Sequence, residues 1–437
     1  MITYPQKSES IEVSKSEYNN LIGGISSILS TMEDSRSYNL RPPVGPPTEY
    51  PTLSSEELDM LKRTAYGQLL GKDSAYSHIK LLENRLEPIN VDMPDSQSLD
   101  GKSIWAIDGS NKSLDYSAFH VLLSRASIVE FMYSKEDQDN YHSISQIDRS
   151  GVCMIDRNIF KDDIHLFGKS QRNLQQKRES SWIDILESKD PLIVSFDPAT
   201  TDKKPSSHAQ GWCVKIMHTL ELMALSRIPK EKSGIVIRDG PLLPVAATMK
   251  DTQRAMSGVL NWENKILICV SKRIQESTLF VEFLTNPQNE KHMEFYFPDQ
   301  KISKKILEKL PADYLLLPKI LEPGQRTPLI EAVPKNRAPI VKKKPELTPV
   351  SCYYMRRRAP HSVIRIEFPK EYFLEFPDYL DWAISCIAWQ HELGKKVPQV
   401  QEFADMKCQL KSEIRILQNV ARGELLRKGL ETLEVYE

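Results

Sequence analysis

Four things are scarce in this 437-residue chain, and each scarcity closes off a class of protein. Paired cysteines are missing. Six cysteines stand at 153, 213, 269, 352, 386 and 408, and the nearest two, Cys386 and Cys408, are 22 residues apart. With no C-x-x-C, neither a zinc ribbon nor a thiol redox pair fits, and cysteines scattered through apolar contexts read as buried thiols of a reducing cytoplasm. Long apolar runs are missing too. No stretch approaches about 18 consecutive apolar residues, so no transmembrane helix is expected. The opening MITYPQKSESIEVSKSEYNN lacks a basic n-region and an apolar h-region, so no secretory signal is expected either. Excess charge is absent: 58 basic side chains face 59 acidic ones, for a net charge of −1. A nucleic-acid footprint would have to be local. Finally, no internal repeat is visible.

What is present is ordinary globular material. Hydrophobic residues make up 40% and charged residues 27%, which excludes disorder over the whole chain and supplies a core. The length suits one large elaborated domain or two. Residues 1–100 read as an accessory helical segment. A helix over Val13–Glu33 is followed by an extended connector, Leu40–Leu53, which holds five prolines. Ser54-Ser55-Glu56-Glu57 then caps a second helix running toward about Arg85. Partner docking and bracing of the main domain are both open for this segment.

The main domain, 101–437, reads as α/β: a mixed sheet flanked by helices. Strands are expected at Ser103–Ile107 (SIWAI), Pro191–Phe196, Gly234–Arg238 (GIVIR), Ile266–Val270 (ILICV) and Ser362–Phe368, with one or two more in Ala118–Tyr133. Helices are expected over Ser170–Lys189, Gly211–Arg227, Tyr379–Leu393 and Glu402–Lys428. Ser134–Ser150 and the Pro/Lys-rich Pro334–Pro349 read as loops. The stretch 134–190 is longer than a minimal core needs and reads as an insertion. Each apolar strand delivers a polar group at its C-terminal end, the edge where ligands gather in open α/β sheets.

Three carboxylates stand out at or near that edge. Asp108 follows SIWAI and Asp239 follows GIVIR, each succeeded by a glycine that permits a sharp turn. Glu221 lies beside the apolar stripe of its helix, where an ionised carboxylate needs a partner. A divalent ion shared by the three would supply one, and clustered carboxylates suit Mg2+ or Mn2+, ions that support phosphodiester hydrolysis. Taken singly, each residue has a plainer reading: the Asp-Gly pairs as turns, the glutamate as a salt-bridge partner. Lys272, ending its strand, suits a phosphate or a surface position equally. Lys342–Lys344, with Lys343 at its centre, and Tyr353-Tyr354 followed by Arg356, Arg357 and Arg358 mix stacking rings with phosphate-binding cations, or are solvated loops. Other motifs fail. Gly67–Ser74 has only three residues between its glycines and no preceding strand, so it is not a P-loop. His391-Glu392 lacks a second histidine, and no G-x-S-x-G exists.

Together these units resemble the NurA nuclease family. IDGS at 107–110 resembles the family's first motif, GIVIRDGPL at 234–242 its second aspartate motif, VSKR at 270–273 its V-S-K segment, and VIRIEFP at 363–369 its R-[VIL]-E-x-P strand. The resemblance implies an RNase H-like core and a Mn2+-dependent nuclease on single- and double-stranded DNA, with 5′→3′ exonuclease and endonuclease activity. It implies a homodimer docked on a HerA-like hexameric ATPase, acting in DNA end processing or antiviral defence. Asp108, Glu221 and Asp239 would hold the metal and Lys272 would contact the scissile region. Tyr354 and Arg356 would line the DNA path, with Arg357 and Lys343 beside them. One departure stands out: where the family has a histidine, in a Pro-x-x-Leu-x-x-Ala-His context, this chain has Asp405. Aspartate can coordinate a metal but is no proton donor near neutral pH. A catalytically weak or inactive adaptor that docks DNA to a translocase is therefore the alternative.

Overall fold

Short runs of β-branched and aliphatic residues recur through the chain, and thirteen strands join them into one mixed sheet. The computed structural model describes residues 74–115, 119–133, 143–156, 163–166, 192–195, 209–244, 256, 264–296 and 312–410, apart from short gaps within the later stretches. In chain order the strands are β1 (Tyr76–Leu81), β2 (Ile89–Asn90), β3 (Ser103–Asp115), β4 (Phe119–Met132), β5 (Ser143–Asp156), β6 (Asp163–Leu166), β7 (Leu192–Ser195), β8 (Gly234–Asp239), β9 (Lys265–Ser271), β10 (Gln325–Arg326), β11 (Ile330–Pro334), β12 (Pro349–Met355) and β13 (Val363–Pro369). They lie in the order β1-β11-β12-β13-β9-β8-β3-β4-β5-β6-β7, while β10 pairs with both β12 and β2. Only β3, β8 and β9 run parallel to their neighbours in this group; the other pairings are antiparallel.

Four helices matter for the site: α1 (Ala209–Ala224), α2 (Ala338–Lys343), α3 (Pro377–Leu393) and α4 (Gln399–Cys408). Period-two alternation sorts them onto faces. Ile104 and Ala106 of β3 and Ile235 and Ile237 of β8 join Ile384, Ile387, Val400 and Ala404 of α3 and α4 in one core cluster. α1 packs against β3 and β4, and its residue Glu221 meets Arg238, which alternates to the opposite face of β8 from Ile237. Cys269, Cys352, Cys386 and Cys408 are free and buried, as expected. Among the described residues no helix is long and apolar enough to cross a membrane.

The mixed α/β class and the strands at 103–107, 192–195, 234–238, 266–270 and 363–368 agree with expectation. Three local readings do not. Tyr76–Leu81 is not the end of a helix: it is a strand paired with β11, a long-range partner that outweighs local preference. Ser143–Ser150 is no loop; it is the first half of β5, which matches β4 pair for pair from Ser143 to Asp156. Of the one or two strands expected in Ala118–Tyr133, one forms, over residues 119–132. The segment 334–349 is not a plain loop. Its prolines open helical turns, Pro339 in α2 and Pro345 in a 3-10 turn at Pro345–Leu347, because a missing N–H costs nothing in a first turn. The helices read over Val13–Glu33 and Ser170–Lys189, the connector Leu40–Leu53, and the continuation beyond residue 410 lie outside the described residues.

Candidate active site

Strand register places the two aspartates. Ile107 of β3 pairs with Arg238 of β8, so the next residues, Asp108 and Asp239, stand side by side on the face that looks toward α4. Asp239 in turn pairs with Val270 of β9, and Lys272 follows two residues later, just past the strand. The helix facing them carries Gln401 and Asp405, one turn apart on the same side. The Gln401 amide Nε2 donates to Asp239 Oδ1 at 2.6 Å. Lys272 Nζ lies 3.5 Å from Asp239 Oδ2 and 3.6 Å from Asp405 Oδ1. Asp405 is half-exposed at this rim.

Glu221 reaches the same edge from the other face of the sheet. Its Oε2 lies 2.7 Å from Nη2 of Arg238, and both side chains are buried. It passes over Gly109: a Cβ there would sit 2.5 Å from Glu221 Oε1 and 2.6 Å from Met217 Cγ. The glycine after Asp108 is thus needed for the approach of the helix carboxylate, not for a turn, because β3 runs on to Asp115. The glycine after Asp239 does turn, with φ at 90°. That turn is pinned from two sides. Arg238 Nη1 donates to Pro241 O at 2.9 Å, and the Leu242 amide donates to Glu367 Oε2 at 2.6 Å.

The electrostatics ask for positive charge. Asp108 is 5% exposed. Its Oδ1 accepts from the Gly109 amide at 2.7 Å, while Oδ2 is buried without a hydrogen-bond partner among the described residues. Burial, then the neighbouring Asp239 and Glu221 carboxylates, hold its pKa well above the usual carboxylate range. Burial likewise pushes Glu221 up to about 7, with Asp239 adding to it and Arg238 opposing it. Burial lowers Lys272, but Asp239, Asp108 and Asp405 outweigh that and raise it. The side chains therefore divide into a negative cluster and two cations, Arg238 and Lys272, that compensate it. Among the described residues no three Asp, Glu, His or Cys side chains converge as metal ligands.

Asp108, Glu221, Asp239, Lys272 and Asp405 are thus brought to one strand edge, whereas the expected nucleic-acid contacts are not part of it. Tyr354 is wholly buried, and its hydroxyl donates to Glu392 Oε1 at 3.0 Å. Its ring has no open face for a base, because β12 turns it into the core beneath α3. Arg356 caps the C-terminal end of α3, donating to Glu392 O at 2.8 Å and Lys395 O at 2.6 Å. Arg357 donates to Val91 O at 2.5 Å. Lys343 is exposed at the end of α2. Tyr354→Phe is accordingly expected to cost about 1 kcal/mol of stability and to leave DNA affinity unchanged. A urea midpoint and a fluorescence-anisotropy titration check the two halves, and weakened DNA binding would restore the ring to the DNA path.

Three contributors escaped the sequence reading. Gln401 lies four residues before Asp405, a spacing visible once the helix is known to start at 399 rather than 402. Arg238 sits within an apolar strand, where a lone arginine signals a buried ion pair. Glu367 stands in the VIRIEFP strand and serves the turn behind Asp239.

No curated protein sequence matches the chain. A crystal structure of the NurA nuclease from Sulfolobus solfataricus is similar at 13% identity, covering 86% of this chain and 96% of its own, with a TM-score of 0.39. A crystal structure of NurA with manganese is similar at 10% identity, covering 82% and 94%, with a TM-score of 0.32. The family model for the NurA domain matches residues 102–410, from the start of β3 to just past α4. The match takes in well over half of the chain, which therefore belongs to the NurA family.

Proposed function

We propose that this chain is a metal-dependent deoxyribonuclease in which Asp108 and Asp239 hold Mn2+ or Mg2+. One observation carries the reading: a buried aspartate oxygen, Asp108 Oδ2, stands without a hydrogen-bond partner among the described residues, beside a second aspartate at the C-terminal edge of parallel strands. Hard oxygen donors of that kind suit these ions. Glu221 would complete the set from across Gly109. The bound ion would polarise the scissile phosphate and lower the pKa of the attacking water.

The remaining steps belong to the chain itself. Lys272 presents an ammonium at the rim, where it can meet a phosphate oxygen as charge develops. Asp405 holds that ammonium, a role that needs no proton and so fits an aspartate where the family has histidine. Arg238 keeps Glu221 from facing an apolar interior alone.

The finer features come from the family resemblance. They are an RNase H-like core, action on single- and double-stranded DNA with 5′→3′ exonuclease and endonuclease modes, a homodimer working with a HerA-like hexameric ATPase, and a place in cytoplasmic DNA end processing or antiviral defence. The accessory segment proposed over 1–100 and the insertion proposed over about 134–190 each lend strands to the main sheet, β1 and β2 from the first and β5 and β6 from the second. A second reading, an adaptor that binds DNA without cutting it, is favoured by the compensation of the carboxylates by Arg238 and Lys272.

The two readings separate in one assay. Metal-stripped protein is mixed with end-labelled linear DNA and closed circular plasmid, in chelator, Mn2+ or Mg2+. Cutting that appears only with metal supports the nuclease. Cutting in chelator sinks the metal requirement, and DNA binding without cutting under every condition establishes the adaptor.

A further inference from the structure

We propose that Gln401 is a positioning residue for Asp239, an inference that rests on the nuclease reading and extends it to a side chain with no assigned part. Gln401 is wholly buried. Its Nε2 donates to Asp239 Oδ1 at 2.6 Å and also lies 3.4 Å from the Val270 carbonyl oxygen. Both of these neighbours only accept, so the orientation of the amide is chemically obliged. The amide oxygen Oε1 is then left buried without a partner among the described residues. An apolar side chain of similar shape would fill this position without that cost, so the donated hydrogen bond is what a glutamine gains here.

The bond acts on the rotation of the Asp239 carboxylate. Asp239 is partly exposed at the strand end, where its carboxylate would otherwise turn freely. Gln401 ties Oδ1 back toward β9 and leaves Oδ2 toward Lys272, at the edge shared with Asp108. A neutral amide does this without cancelling the negative charge, as a lysine or arginine would. One helical turn later Asp405 holds Lys272. A single helix therefore sets both the aspartate and the cation that faces it, and its fixed rise spaces them.

The test uses the full-length protein and Mn2+ alone as the probe. Gln401→Met keeps length and volume but removes the donor. Mn2+ affinity by titration calorimetry is expected to fall about 10- to 100-fold, with kcat at limiting Mn2+ falling in step and KM for DNA unchanged. The thermal midpoint of the metal-free variant should be equal or higher, because the stranded oxygen is gone. A merely structural glutamine would give the opposite pair, a lower metal-free midpoint with unchanged Mn2+ affinity, and that result overturns the proposal. Gln401→Asn keeps an amide but shortens its reach by one methylene; it should weaken Mn2+ binding likewise, and it decides the question if the methionine variant does not fold. Wild-type protein that binds Mn2+ and cuts DNA, with both variants matching it, sinks this inference alone. Wild-type protein that neither binds Mn2+ nor cuts sinks the nuclease reading and this inference with it.

Discussion

Asp108→Asn is expected to cut DNA cleavage by about a thousandfold while raising the thermal midpoint of the protein. The two effects have one cause. The Asp108 carboxylate is buried, keeps one oxygen unpartnered and faces Asp239 and Glu221. That is a poor place for a negative charge unless a cation shares it. The raised folded-state pKa fixes the sign of the pH dependence. Below the unfolded value of about 3.9, both states hold the proton and nothing is lost. As pH rises above that value, the unfolded chain releases its proton more readily than the folded one, so stability declines until the folded pKa is passed. Asparagine carries no such charge. Its advantage over wild type in metal-free buffer should therefore widen with pH through that window. Thermal unfolding at several pH values and cleavage of labelled DNA in Mn2+ check both halves. Undiminished cutting would remove Asp108 from the chemistry. A variant less stable than wild type would mean that the carboxylate has a stabilising partner after all.

The second large effect is on folding. Glu221→Ala should destabilise the protein by about 3–5 kcal/mol, because it strands the Arg238 guanidinium, 0% exposed, in the sheet interior. Burial works hardest against that charge, and Glu221, with Cys269 and Asp239 behind it, together offset it, so breaking the pair exposes much of the penalty. Replacing both residues together, Glu221→Leu with Arg238→Met, should recover most of the loss, since an apolar pair of similar volume has no charge to bury. Urea midpoints of the two single variants and the double variant close the cycle. Additive losses in the double variant would show that the two side chains do not depend on each other. Glu221 has its own pH signature. With its folded pKa near 7 against about 4.3 unfolded, it erodes stability as pH climbs between those values and adds no further change above them.

The parts of the site that were legible in sequence were those written locally. SIWAI-Asp-Gly and GIVIR-Asp-Gly each join an apolar run to an aspartate followed by glycine, though only the second pair turns, and Lys272 follows ILICV at the same edge. The position of Glu221 beside its helical stripe was also readable, but the face it occupies was not. Its carboxylate comes through the gap at Gly109, which depends on how α1 crosses β3. The aromatic and basic stretch misled for a related reason. Tyr354 lies in β12 and Arg356 just past its end, both on the side of α3, where one packs as core and the other caps the helix end, and composition alone cannot distinguish a stacking ring from a packed one. β1 and β5 were hidden because their partners, β11 and β4, supply the pairing that their own side chains do not announce.

Lys272 gives the resting edge a built-in counterion. Its ammonium stands between two acids at 3.5 and 3.6 Å, tethered to the chain and unable to diffuse away. Any cation that settles against Asp239 therefore arrives by exchange with an occupant already present. The evicted ammonium stays leashed to Asp405 at the rim, one side-chain length from where it started. On the proposed reading, loading such an edge would move a positive charge outward toward the incoming backbone of a polyanion. Unloading it would return the ammonium to its place between Asp239 and Asp405.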